Sequence, residues 1–376
     1  MLVLESCKLN GEMNAPLSKS ILHREIIAGC LSSEVSTIKN VGNLCEDIKA
    51  TIDCLIQLGC DIKITDNKIE CSCGRLFDNK NDVILDAKES GTTYRILSEF
   101  KHICKGKVEV TMQNEEVRNK EVKEYEIYGS EIHIDCSITT QILSGLLFVL
   151  PLLKEKYTIH VENLNSKSYI DLTLQTLERH GIYTKNEDYQ KFTTFPSEYK
   201  AVAVEVEGDY SNSSPFIIAN LLGNNVKIHK LNLLSKQADK EIINILNYEP
   251  KIINANNTPD IILVLSLWAC FRDSDTIITN VDKLRYKESD RVKAILELNK
   301  LGADIVELDN RLIIRGKGKD FNFTGGKVSC YNDHRIAMMF AIASTRLSGS
   351  IEIDNETCVN KSFPNFWEVF EGLKCE

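Results

Sequence analysis

Two hydrophobic rhythms alternate along the chain. Residues 47–64 read DIKATIDCLIQLGCDIKI. Apolar positions there fall three and four apart, which predicts a helix of about three turns. Asp47 opens it, as N-cap residues often do. Leu58-Gly59 closes it, with glycine suited to a left-handed C-terminal turn. The rhythm then becomes strict alternation in Asp61-Ile62-Lys63-Ile64, which predicts a strand. Residues 290–307, DRVKAILELNKLGADIVE, repeat the design with Asp290, Gly302 and the strand 304–307. A looser third copy runs from Asp171-Leu172-Thr173-Leu174 to His180-Gly181-Ile182-Tyr183. A fourth opens at Asp239 and lacks the terminal glycine.

Other apolar helices are expected over 20–31, 92–103, 139–150, 212–222, 260–271 and 333–346. Alternating strands separate them, as at 157–161, 202–206, 277–278 and 312–314. The chain therefore reads as a βαβαβ-type α/β unit used about six times, in two similar halves. A boundary near 233–238 fits this division, though no linker marks it.

Length agrees, because 376 residues make two to three domains at roughly 150 each. With 43% hydrophobic and 26% charged residues, disorder, collagen and coiled coil are excluded as the main state. Forty-five basic against 54 acidic residues give a net charge of −9, which argues against a general nucleic-acid binder. Any anion site must be a local basic cluster. The most apolar stretch, 142–153, is broken by Ser144, Gly145 and Pro151 and is too short to span a bilayer. The first residues, MLVLESCKLNGEMN, lack the basic and apolar regions of a signal peptide. The 13 cysteines are scattered among apolar neighbours with no CxxC, which suits a reducing cytosol without disulfides or a metal site.

Charge and hydroxyl groups gather where helices start. Pro16-Leu17-Ser18-Lys19-Ser20-Ile21-Leu22-His23-Arg24 enters the first apolar helix, and its spacing lacks the glycines of a P-loop. Glu89-Ser90-Gly91-Thr92-Thr93-Tyr94-Arg95 opens a second, Thr139-Thr140-Gln141 a third and Ser166-Lys167-Ser168-Tyr169 a fourth. In the second half the starts are Pro259-Asp260, Lys287-Glu288-Ser289-Asp290-Arg291, Asn332-Asp333-His334-Arg335 and Lys361-Ser362-Phe363-Pro364. Asp290 and Asp333 read as ordinary caps. Lys and Arg there oppose the helix dipole, so Lys287, Arg291, His334 and Arg335 call for another purpose. Helix N-termini with added positive charge suit phosphates and carboxylates. Asp260 and Glu288 would be carboxylates in a positive field, suited to acid–base chemistry.

The ordered set SKSILHR (18–24), SGTTYR (90–95), TTQ (139–141), SKSYIDLTL (166–174), PD (259–260), YKESDR (286–291), YNDHR (331–335) and KSFP (361–364) covers nearly the whole chain. It resembles the EPSP synthase (3-phosphoshikimate 1-carboxyvinyltransferase) family of enolpyruvyl transferases. The resemblance implies a two-domain inside-out α/β barrel of βαβαββ units, about three per domain. One domain would span 14–235 and the other 1–13 plus 236–376, with the active site in the cleft between them. It implies transfer of the enolpyruvyl group of phosphoenolpyruvate (PEP) to the 5-hydroxyl of shikimate 3-phosphate, without metal or cofactor, in the pathway to chorismate and aromatic amino acids. Partners would be these small anions, not nucleic acid or membrane, for a cytoplasmic monomer.

By the same resemblance the catalytic residues are Lys19, Asp260, Glu288 and His334. Shikimate 3-phosphate would meet Lys19, Ser20, Arg24, Thr139, Thr140, Gln141, Ser166, Asp260, Lys283 and Lys287. PEP would meet Lys19, Gly91, Arg118, Gln141, Arg291, Arg335 and Lys361. The chain departs from the family pattern in several places. Glu89 stands where Asn is usual, and Lys283 replaces a usual Asn contact. Arg118 lies outside the usual Gly-Asp…Arg-Pro context. The stretches 119–138 and 239–258 are shortened, so one or two units are incomplete. Two other readings remain at this stage: transfer of enolpyruvate to UDP-N-acetylglucosamine, or a degenerate relative that binds anions without turnover.

Overall fold

The computed structural model describes residues 1–72, 81–113 and 122–375. They divide into two compact units, 17–207 and 1–16 plus 208–376. Each unit closes around its own apolar core, the arrangement expected of separate domains.

The unit 17–207 contains helices α1 (Lys19–Gly29), α2 (Glu46–Gln57), α3 (Gly91–Leu97), α4 (Gln141–Val149) and α5 (Lys167–Arg179). Its sheets repeat one pattern. Strand Ser36–Lys39 leads into α2, which is followed by the antiparallel hairpin Asp61–Thr65/Lys68–Ser72. The second hairpin strand returns antiparallel onto Ser36–Lys39. Strand Tyr157–Glu162 leads in the same way into α5 and the hairpin Thr184–Glu187/Lys191–Thr194.

The other unit contains α6 (Tyr210–Leu221), α7 (Ile242–Tyr248), α8 (Ile262–Ala269), α9 (Arg291–Leu296), α10 (His334–Ala343) and α11 (Phe366–Gly372). Strand Thr276–Thr279, α9 and the hairpin Ile305–Glu307/Arg311–Ile314 make the third clear copy. Gly59, Gly181 and Gly302 close the three copies at φ +97°, +80° and +99°, a region open to glycine at little cost. The copy opening at Asp239 is incomplete. It continues through α7 to Glu249, at φ +44°, and then to the single strand Ile252–Asn254. That strand pairs parallel with Thr276–Thr279 of the next copy.

Some expected details differ. Cys45, not Asp47, caps α2, so Asp47 lies inside the first turn with its side chain available for another partner. Asp171 lies inside α5, which begins after Ser166. The division at 207/208 precedes the expected boundary at 235/236, so α6 and strand Asn225–His229 fall in the second unit. The reason is long-range pairing. Asn225–His229 pairs parallel with Asn10–Asn14, and Leu2–Glu5 pairs antiparallel with Ser350–Ile353.

Candidate active site

In the unit 17–207, polar contacts tie the helix starts to neighbouring helices. Lys19, the first residue of α1, places Nζ 2.7 Å from Asp47 Oδ2 on α2. Both side chains are largely buried, at 14% and 8% exposed, so neither charge is diluted by solvent. Arg24, one turn further along α1, is 2% exposed. Its Nε donates to Thr173 Oγ1 (2.9 Å), Nη1 to Ser20 O (2.7 Å) and Nη2 to Tyr169 O (3.0 Å). Burial pushes its pKa down to about 10, so it stays charged at neutral pH. Its hydrogen-bond acceptors are a hydroxyl and two carbonyls, leaving its charge to an incoming anion.

Thr173 also bonds Ser144 of α4 at 2.9 Å. Gln141 opens α4; its Nε2 donates to Thr92 Oγ1 at 2.8 Å, and its Oε1 accepts from Arg95 Nη1 at 2.7 Å. Both partners sit on α3, which Gly91 opens and Ser90 caps through Thr93 N. The hydroxyls of Ser18, Thr140 and Ser166 do not cap the helices they precede. Thr139 Oγ1 accepts from Gln141 N at 3.2 Å. Ser166 is held at φ +55°, a conformation unusual for a residue with a Cβ.

His23 joins α1 to α2 and, through Thr51, to α3. Its Nδ1 is 2.8 Å from Thr51 Oγ1, and Thr51 is 2.6 Å from Thr93 Oγ1. Burial, helped by Lys19 and Arg24, drives its pKa down to about 3 despite Asp47. The folded state therefore binds fewer protons than the unfolded chain below about pH 6.5. Stability present above that pH is lost as pH falls toward 3, by about 1.4 kcal/mol per pH unit at the limiting slope. Urea melts of the chain and of His23→Gln are expected to diverge in that window, with the variant losing less; parallel losses would contradict the assignment.

The unit 1–16/208–376 carries a denser charge cluster. Arg291, the first residue of α9, is fully buried and grips three carboxylates. Its Nη1 lies 2.7 Å from Asp260 Oδ1, Nη2 2.6 Å from Glu288 Oε2 and Nε 2.9 Å from Asp333 Oδ2. Arg335 Nη2 is 3.5 Å from Asp260 Oδ2, and Lys287 Nζ is 4.0 Å from Asp260 Oδ1. Burial alone would raise the Asp260 pKa, but Arg335, Lys287 and Arg291 outweigh it and hold it well below the usual carboxylate range. Asp260 therefore stays ionised with its side chain 18% exposed. Asp333 and Asp290 cap their helices as expected, through Arg335 N (2.9 Å) and Lys293 N (3.2 Å).

His334 is fully buried, with Nδ1 3.7 Å from Asp333 Oδ1. Lys361 is 5% exposed at the end of the turn Thr357–Lys361, and the next residue, Ser362, bonds Asn212 of α6. Lys283 lies in the turn Val281–Tyr286, half-buried. Arg118 falls outside the described residues. No local pattern marks Asp47 as the partner of Lys19, or Thr173 and Arg95 as supports of Arg24 and Gln141. Asp333 was read only as a cap, and nothing local marked its second bond to Arg291.

Two units, each holding basic and hydroxyl groups at helix starts, with an ionised carboxylate among cations in one of them, suit acid–base chemistry on anionic small molecules. The profile of the family described as EPSP synthase (3-phosphoshikimate 1-carboxyvinyltransferase) matches residues 4–113, 103–248 and 245–370. A 3-phosphoshikimate 1-carboxyvinyltransferase of Clostridium perfringens is 38% identical over 417 aligned positions, covering 99% of this chain and 97% of that protein. Enzymes of the same name from Clostridium novyi and Clostridium acetobutylicum are 35% and 34% identical, covering 97% and 98% of the chain and 95% and 96% of their own lengths. The EPSP synthase structure of Acinetobacter baumannii superposes with a TM-score of 0.79 at 21% identity, covering 99% of this chain and 97% of that one. The chain belongs to the EPSP synthase family. An alignment of 417 positions against 376 residues agrees with a chain shortened internally relative to that relative. Among the described residues, no helix is long and apolar enough to cross a membrane.

Proposed function

We propose that this chain transfers the enolpyruvyl group of PEP to the 5-hydroxyl of shikimate 3-phosphate, giving EPSP and phosphate. The observation that carries this reading is Asp260, an ionised carboxylate held by Arg291, Arg335 and Lys287 in a chain of this family. Lys19, Ser20, Arg24, Thr139, Thr140, Gln141, Ser166, Asp260, Lys283 and Lys287 hold shikimate 3-phosphate. Lys19, Gly91, Gln141, Arg291, Arg335 and Lys361, together with Arg118, hold PEP.

The chemistry follows from the charges. When substrate anions draw on the field of Arg335 and Lys287, Asp260 becomes more basic and takes the 5-hydroxyl proton. The acceptor oxygen bonds C2 of PEP while Glu288 serves proton transfer at the methylene carbon, giving a tetrahedral intermediate. Loss of phosphate, which takes up the proton held by Asp260, and return of a methyl proton to Glu288 restore the double bond and leave Asp260 ionised again. The surrounding cations stabilise charge as it moves onto the phosphate. His334, buried with Nδ1 3.7 Å from Asp333 Oδ1, stands with Lys19, Asp260 and Glu288 in the catalytic set of this proposal.

Lys19-Ser20, where the UDP-N-acetylglucosamine enzymes carry Lys-Asn, and the lack of a cysteine between 105 and 135 disfavour that acceptor. The discriminating experiment is phosphate release from PEP with each acceptor in turn. Release with shikimate 3-phosphate alone is expected, and release only with UDP-N-acetylglucosamine would replace this reading. Thermal stabilisation by both ligands without any release would point to a binder. Glu89, just ahead of the Ser90 cap, places a carboxylate beside the Gly91 helix start. Glu89→Asn is expected to lower the KM for PEP about fivefold, the equivalent of roughly 1 kcal/mol of relieved repulsion. An unchanged or higher KM would contradict a role for that charge. The mostly buried cysteines support work in a reducing cytoplasm, and we propose a monomer.

A further inference from the structure

A second buried carboxyl, Asp239, feels the charge of Asp260 and has no part in the steps above. Asp239 lies in the turn Ala238–Glu241 and is 2% exposed. Its Oδ2 accepts from the Ser211 hydroxyl of α6, and its Oδ1 is buried without a hydrogen-bond partner among the described residues. Arg335 Nε is likewise buried without a partner. The charged groups acting on Asp239 are Asp260 before α8, Arg335 on α10 and Asp209 at the start of α6. Asp260 has cations at 2.7, 3.5 and 4.0 Å, whereas Asp239 has a single hydroxyl.

We propose that Asp239 is a positioning residue that acts through Asp260 and Arg335, taking up a proton as the anionic substrates bind so that Asp260 remains a carboxylate. The inference rests on the enolpyruvyl-transfer reading. Burial and the charge of Asp260 push the Asp239 pKa up to about 7, against Arg335 and Ser211. Phosphate and carboxylate groups that offset Arg335 raise both carboxyls further. The proton goes to the one without close cations. Above neutrality, ionised Asp239 disfavours substrate anions. The kcat/KM value then falls about tenfold per pH unit past that point, while kcat, measured with the proton already bound, does not.

The test compares the chain with Asp239→Asn and Ser211→Ala, each checked for folding by circular dichroism. Infrared difference titration without substrate, across about pH 5 to 9, is expected to show a protonated carboxyl with a midpoint near neutrality that Asp239→Asn lacks. In the pH profile of kcat/KM, Asp239→Asn is expected to lose the neutral limb. Ser211→Ala should move it to higher pH, because the lost hydroxyl had favoured the carboxylate. A purely structural role would lower activity at every pH without displacing the limb. Identical infrared titrations of chain and variant, or a limb that persists in Asp239→Asn, would overturn the inference while transferase activity stands. A titrating Asp239 in a chain that releases no phosphate would overturn the proposed reaction and leave the proton site in place.

Discussion

Asp260→Asn is expected to lower kcat between about a hundredfold and ten-thousandfold, the range a positioned general base contributes. The substitution keeps an oxygen that can accept from Arg291 Nη1, so the cluster should hold together. It removes the one negative charge shared by Arg291, Arg335 and Lys287. The net field on incoming anions becomes more positive, so the KM for PEP should stay level or fall. Loss in kcat without loss in binding is the signature of a group needed in the transition state. Steady-state kinetics with both substrates varied would check it; a kcat within a few-fold of the parent would remove Asp260 from the chemistry.

Arg291→Met carries the largest expected effect on stability. The side chain is fully buried, and three carboxylates converge on it. Asp333, Glu288 and Asp260 together raise its pKa against burial, so it is always charged. Removing it leaves like charges buried side by side, at a cost of about 3–5 kcal/mol or more. Chemical denaturation of Arg291→Met at neutral pH should show that loss. The gap should narrow in acid, because protonating the carboxylates relieves their repulsion in the variant while removing ion-pair stability from the parent. A constant gap across pH would mean that Arg291 acts by packing alone.

The repeated unit was legible because helix and strand rhythms are local and a glycine at Gly59 or Gly302 marks where one gives way to the other. The three copies with intact hairpins are those whose helices end at such a glycine. The boundary was less legible. No composition change announces that Asn10–Asn14 will pair with Asn225–His229, since such pairing depends on contacts far apart in sequence. Most of the described site residues recognised from motifs sit at or beside helix starts, while Lys361 ends the turn Thr357–Lys361 and Lys283 lies within the turn Val281–Tyr286. Their supports were hidden for the same reason as the boundary. Lys19 and Asp47 lie on different helices, as do Arg24 and Thr173. Asp333 looked like a cap because it is one, and only the fold brings Arg291 Nε to its second oxygen. Asp239 reads as the start of an incomplete repeat, and its burial against Ser211, within the field of Asp260 and Arg335, follows from tertiary packing.

PEP is expected to lose phosphate by giving its carboxyvinyl group to the 5-hydroxyl of shikimate 3-phosphate. Carbon NMR of a reaction containing PEP labelled at the methylene carbon follows that carbon directly. With shikimate 3-phosphate present, the label is expected to move into the vinyl carbon of a new enol ether as phosphate appears in equal amount. Asp260→Asn should show almost none of this change. Label that stays in PEP with the folded chain present, or that appears only in pyruvate, would contradict that transfer.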